Sequence, residues 1–193
     1  RNLGKQVEEY QHRKSNHIRT SEMHAVHLAL IVATSLLVSV TANYQNVNGK
    51  ELEKCSGPGM ALTGYTRSGK CVAHDDDAGS HHVCIDMSSN TGGNFCAVTG
   101  QPDWCSSQMD CDGGGGQCPV EHWCVCEWAF ASYIQKAGGC DKIQKIVCEA
   151  TNMKALEHYE QKQSSTHIKA ALDCLKSRCL NGGQAAQAAK VEV

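Results

Sequence analysis

Aromatic side chains are scarce in this chain: Phe, Trp and Tyr together make 10 of 193 residues, and only three residues are proline. So few large rings limit what a conventional core can bury, and stability has to come partly from elsewhere. Neither sign of charge dominates. Lys and Arg number 18 against 20 Asp and Glu, a net charge of −2 with histidines neutral. That balance excludes a nucleic-acid binder working through a broad basic surface. No Gly-x-Ser-x-Gly elbow, phosphate loop or dinucleotide fingerprint occurs. The run Gly113 to Gly116 leads into Gln117-Cys118 and follows no strand. There is no Asn-x-Ser/Thr sequon either, since Asn94-Phe95-Cys96 is only the cysteine variant. Cysteine is absent from the first 54 residues, and all 13 cysteines fall between Cys55 and Cys179.

That concentration is the anomaly. In an oxidising compartment it is a disulfide scaffold; in a reducing one it would indicate metal sites. The segment Ala25 to Val40 (AVHLALIVATSLLVSV) bears on the choice. It ends in Val40-Thr41-Ala42, with short residues where signal peptidase requires them, so cleavage would leave a chain starting at Asn43. We therefore expect residues 23–42 to be a signal peptide, preceded by an untrimmed extension over 1–22. A signal anchor is the alternative, because the 18 residues from Ala25 to Ala42 suffice to span a bilayer of about 30 Å. Arg13, Lys14 and Arg19 would then stay cytoplasmic. A buried helix of a cytosolic protein is the third reading. The first two place the cysteines outside the cytosol.

The length fits one domain with appendages. His82 to Met87 alternates, with Val83, Ile85 and Met87 on one face and Cys84 and Asp86 on the other. Val120 to Cys126 alternates too, and Lys142 to Glu149 carries the β-branched residues of a strand. Phe130, Tyr133, Ile134 and Ala137 have helical spacing, stopped by Gly138-Gly139. Ile168, Ala171, Leu172 and Leu175 repeat it, with Ser165 or Thr166 as N-cap; Asn152 to Gln161 is a weaker third helix. The sum is a single small α+β domain over 43–183 with short strands and two or three helices, stabilised by disulfides. A loop-rich insert, 88–119, holds Cys96, Cys105, Cys111 and Cys118; residues 184–193 should fray.

Several phrases then fall in a familiar order. Asn46-Val47, Gly49, Leu52-Glu53 and Cys55-Ser56 precede Thr63-Gly64-Tyr65, Arg67, Gly69 and Cys71. Asp77, Gly79-Ser80-His81, Val83-Cys84 and Met87 follow, then Trp123-Cys124-Val125-Cys126, Phe130, Ala137-Gly138, Glu149-Ala150-Thr151 and Ala155-Leu156. Over residues 46–156 this resembles the largely bacterial family called domain of unknown function 2237. The chain departs from the family at Lys70-Cys71 (adjacent cysteines there), Asn152 (histidine) and Phe130 (tryptophan). The resemblance implies a fold and no established activity. Five cysteines sit at family positions: Cys55, Cys71, Cys84, Cys124 and Cys126. The other eight look additional, and being even in number they should pair among themselves, with Cys174 and Cys179 reaching back to Cys140 or Cys148. One thiol must be left over, and we expect it among the five, at Cys84.

Chemistry-bearing groups gather at His81, Cys84, Cys124 and Cys126. They match the ligand set of tetrahedral zinc, although Cys-x-Cys on a strand is not the usual zinc spacing. A thiol catalyst using Cys84 with His81 as base is the other chemical option. Against both stands the plainer expectation that these cysteines are bridged or buried. The polar loop His74 to Asp77 with His81 and His82 could gather a hard cation. Asp110 and Asp112 faintly resemble a calcium loop, but Cys111 and Cys118 bracket them, which reads better as a small disulfide-closed loop. No organic cofactor is expected, and zinc is the one metal that the set suits. We expect a secreted binding or interaction module whose insert loops meet a protein, a glycan or a small ligand. The partner is not a nucleic acid, and membrane association requires the leader to be retained. The alternative is a thiol- or metal-dependent enzyme built on His81, Cys84, Cys124 and Cys126.

Overall fold

A computed structural model of the chain describes residues 44–89 and 92–181. The leader expected over 23–42, the extension over 1–22 and the tail 184–193 lie outside the described residues. Among the described residues, five short strands and four α-helices follow one another with no regular βα alternation, so the architecture is α+β. Strand β1 (Val83–Asp86) is central. It pairs antiparallel with β4 (His122–Val125) on one edge and β5 (Lys145–Ile146) on the other. A separate hairpin joins β2 (Gln108–Asp110) and β3 (Gln117–Pro119).

Period-two alternation sends the two faces of β1–β4 into different surroundings. Val83, Ile85, Trp123 and Val125 enter the main apolar core. Their neighbours Cys84 and Cys124, opposite each other in register, enter a second cluster with Cys55, Cys71 and Ala150. The segment before β1 lies over this second face and is fastened there by the bridges Cys55–Cys84 and Cys71–Cys124. Cys84 is thus fully buried and oxidised, and the expectation that it is the free thiol is wrong. The alternation was read rightly, but the face was covered rather than open.

Helix α1 is Phe95–Thr99 and α2 is Glu127–Ala137. Apolar spacing makes α2: Phe130, Ala131, Tyr133 and Ile134 are buried, and Gly138 ends it in the left-handed conformation at φ 88°. In α3 (Met153–Lys162), the Asn152 side chain accepts from the Lys154 amide as N-cap, and Ala155, Leu156 and Tyr159 face inward. Helix α4 (Thr166–Leu175) packs against both α2 and α3 through Ile168, Ala171, Leu172 and Leu175. Burying each such aliphatic or aromatic side chain contributes about 1.5–3 kcal/mol. Bridges Cys140–Cys174 and Cys148–Cys179 lash α4 and the turn after it to the chain on either side of β5. The four bridges among the eight additional cysteines therefore pair as expected, with Cys96–Cys105 and Cys111–Cys118 completing the set.

Two strands are shorter than the sequence suggested. Lys142 to Glu149 is extended only at Lys145–Ile146, because 3-10 turns at Cys140–Lys142 and Cys148–Ala150 close in from both ends. Val120 to Cys126 begins at His122 and ends at Val125, so Cys126 leaves the strand to become the N-cap of α2. The insert is more ordered than its composition implied. It contains α1, capped by the Asn94 side chain, and the β2–β3 hairpin, each closed by its own bridge. Gln144 anchors it from inside: its side-chain carbonyl accepts from the Phe95 amide at 3.0 Å and its amide donates to the Met87 carbonyl at 2.7 Å.

Among the described residues, no helix is long and apolar enough to cross a membrane. Six disulfides point to an oxidising, non-cytosolic environment, where such bonds form and persist.

Candidate functional site

Twelve of the 13 cysteines are paired, and the free one is Cys126. It is half-buried at the start of the 11-residue helix α2. Helix N-termini favour anions, and they are where nucleophilic thiols are commonly found. Here burial dominates and pushes the thiol above its ordinary range. The Ala129 and Trp128 amides pull the other way, while the Glu127 and Asp77 charges add to the rise. The resting group is therefore a neutral thiol that needs a base to become a nucleophile.

His81 supplies one. Its Nδ1 lies 2.8 Å from Asp77 Oδ1, and its backbone amide donates to Asp77 Oδ2 at 2.7 Å. Burial alone would raise the Asp77 carboxyl, but hydrogen bonds from the His81 amide and ring and the Gly79 amide prevail and hold it below the usual aspartate range. With the carboxylate accepting, the proton resides on Nδ1, which leaves Nε2 as the basic nitrogen. The ring is held from both sides. Tyr65 stacks on it at 6.2 Å and 13°, and a Cβ placed on Gly79 would come within 2.4 Å of His81 Cε1. Glycine at 79 is thus required for the ring to lie where it does. Ser80, between them, sits at φ 50°, a strained conformation for a non-glycine residue. The Ser80 carbonyl accepts from the Glu127 amide at 3.0 Å, which ties the His81 loop to the start of α2.

Both groups open into one cleft of about 270 Å³. Its far wall comes from the insert: Phe95, Gln101, Trp104 and Met109. Trp104 packs on Trp123 at 5.6 Å and on Phe95 at 5.9 Å, and its ring N–H donates to Gln101 Oε1 at 3.1 Å. Three of the ten aromatic residues, Phe95, Trp104 and Trp123, line this cavity. The arrangement can seat an apolar or aromatic group beside a thiol and a base.

The residues expected to act together are divided by the fold. His81 and Cys126 share the cleft. Cys84 and Cys124 are spent in bridges to Cys55 and Cys71, so neither offers a thiolate to a metal. The free thiol that shares the cleft with His81 is Cys126, in place of Cys84. Sequence reasoning placed Asp77 in a cation-gathering loop, whereas its side chain turns inward to hold His81. The i, i+4 spacing of Asp77 and His81 was the available signal. Asp112 is likewise committed elsewhere, bonded to Lys54 at 2.8 Å and Ser56 at 2.9 Å. Glu127, His82 and His158 were not singled out as a group, since 45 and 31 residues separate the partners that meet.

A family model described as an uncharacterized protein conserved in bacteria matches residues 45–168, spanning the sheet, the insert and all the cleft residues. No curated protein matches the sequence.

Proposed function

The chain belongs to that family, DUF2237, and from this premise we propose that the cleft binds a small apolar or aromatic group and that Cys126 acts on it as a nucleophile. One observation carries the reading: the free thiol and an imidazole held by a buried carboxylate open into the same cavity. His81 Nε2 takes the proton from Sγ as sulfur forms its bond to an acyl carbon, and the leaving group departs with that proton. Water then releases the acyl group and restores the thiol. Asp77 is a positioning residue, fixing the tautomer and orientation of His81. Phe95, Trp104 and Trp123 supply the surface that excludes water around the bound group.

A second reading is a binding module without turnover. It is favoured by the insert, whose residues form the far wall of the cleft in the way that loops on a rigid scaffold usually carry recognition. In either case we read the protein as secreted, its leader over 23–42 removed. The six disulfides and the Val40-Thr41-Ala42 cleavage signal support that reading.

Incubating the oxidised full chain with p-nitrophenyl acetate tests the enzyme reading. The expected result is a burst of nitrophenolate with an acetyl adduct mapped to Cys126. Cys126→Ser should abolish it, and His81→Gln should slow it by about 100-fold, the low end of what a positioned base contributes. Acylation elsewhere, or an unchanged rate in His81→Gln, would leave the binding module as the better account.

A further inference from the structure

On the other side of Cys126, the next residue points away from the cleft. Glu127 is fully buried at the first turn of α2, a site where a carboxylate needs a positive partner. Among the described residues, its ion-pair partners are two histidines. Oε2 lies 3.1 Å from His82 Nδ1, and Oε1 lies 2.7 Å from His158 Nδ1. His82 comes from the residue just before β1, and His158 from the exposed-to-buried edge of α3. One donor atom from each of the three residues lies within 4.8 Å of the other two. Ligand atoms about 2.1 Å from a tetrahedral ion sit roughly 3.4 Å apart, and the two imidazoles now meet separate oxygens of one carboxylate at 3.1 and 2.7 Å, so the set closes on zinc with side-chain shifts of about 0.5 Å.

We propose that His82, Glu127 and His158 form a zinc-binding site, with two imidazole nitrogens and one carboxylate oxygen as ligands and the fourth position open to solvent. The donor set is one that zinc takes when it retains a water or an exogenous ligand. A doubly charged cation also offsets a carboxylate that no lysine or arginine among the described residues reaches. A second observation points the same way. His82 is 3% exposed, and its Nε2, the ring nitrogen that does not meet Glu127, is buried with no hydrogen-bond partner, so the hydrogen bonds this imidazole makes leave part of its polar capacity unused. Access comes from one side only. The His158 side chain is 32% exposed, and Trp128 stacks parallel to its ring at 6.3 Å and 12°, fixing the ring's orientation. The site does not depend on the thiol, because Cys126 opens into the cleft with His81.

The experiment is a calorimetric titration of Zn²⁺ into the oxidised, chelator-treated full chain, repeated with Co²⁺ as a spectroscopic probe. The expected result is one ion per chain, with cobalt showing nitrogen and oxygen coordination and no thiolate charge-transfer band. His158→Gln should weaken binding at least tenfold while leaving the circular dichroism unchanged, since that side chain is partly exposed. Glu127→Gln should weaken it as much or more, and Cys126→Ser should leave it unaltered. Absence of binding at a tenfold excess of Zn²⁺, wild-type affinity in His158→Gln, or loss of binding in Cys126→Ser would each overturn the proposal. If Glu127→Gln fails to fold, His158→Gln decides the matter.

Discussion

Two of the insert's disulfides separate stability from access to the cleft. Cys96–Cys105 spans nine residues of sequence separation and holds the segment carrying Gln101 and Trp104, which form the cleft wall. Cys111–Cys118 spans seven and closes the Gly113–Gly116 loop, which lines a different surface depression. Loop-closure entropy makes the two nearly equivalent: about 2.6 kcal/mol for the first and about 2.4 kcal/mol for the second. Replacing either pair by alanine should therefore lower the unfolding free energy by a similar amount in urea. A loss of that size raises the population of globally unfolded chains roughly 60-fold in both variants. The native rate at which iodoacetamide labels Cys126 should nevertheless differ. Without Cys96–Cys105, Trp104 and Gln101 are no longer held in the cleft wall and labelling accelerates. Without Cys111–Cys118 the native rate stays as in the parent, because the cleft wall is intact. Labelling is followed by mass spectrometry under native conditions, with peptide mapping. Equal acceleration in both variants would mean that the reagent reaches Cys126 only through global unfolding, and the cleft would not be an open site. No acceleration in either would mean that the insert does not control access.

Two further outcomes follow from the turn geometry. Asp77 has a folded pKa below its unfolded value, so its stabilisation is complete above the ordinary aspartate range and is lost as pH falls through the folded value. Urea midpoints measured from pH 6 down to pH 3 should therefore fall more steeply in the parent than in Asp77→Asn; parallel curves would refute this. Gly64 lies at φ 94°, and a Cβ there would be 2.5 Å from the Lys70 carbonyl oxygen, so Gly64→Ala should cost on the order of 1–3 kcal/mol from the backbone alone. Gly57→Ala, which meets nothing within 4 Å at ordinary φ, should change stability by less than about 0.5 kcal/mol; equal effects would contradict the account.

Pattern was a good guide to the helices and the central strand, because Phe130, Tyr133 and Ile134, or Val83 and Ile85, bury the faces their spacing marks. Counting was a good guide to the bridges, since eight additional cysteines could pair among themselves and five could not. What failed was the choice of the odd one. Cys84 lies on a face that only tertiary structure covers, with a segment some 30 residues upstream contributing Cys55 at a sequence separation of 29. Cys126 was in the candidate set but was passed over as the free thiol because alternation was extended one residue too far: after Val125 the chain turns into a helix, and the thiol no longer follows Cys124. Helix α1 is five residues long, too short for periodicity to register. The glutamate–histidine cluster depends on three distant segments converging, which no local pattern encodes.

The bridges overlap in sequence, and this governs what happens when the backbone is cut. Cys55–Cys84 interleaves with Cys71–Cys124, and Cys140–Cys174 with Cys148–Cys179. Every peptide bond from Cys55 to Cys124, and every one from Cys140 to Cys179, therefore lies inside at least one covalent ring. A protease that nicks the exposed glycine run at 113–116 leaves both fragments joined through Cys111–Cys118 and Cys71–Cys124. The only stretch between Cys55 and Cys179 without such cover is 125–139, and it is largely helix α2, whose buried face shields it from cleavage. Exposed loops are the parts of a protein most open to proteolysis; here they can be cut once and still stay in place.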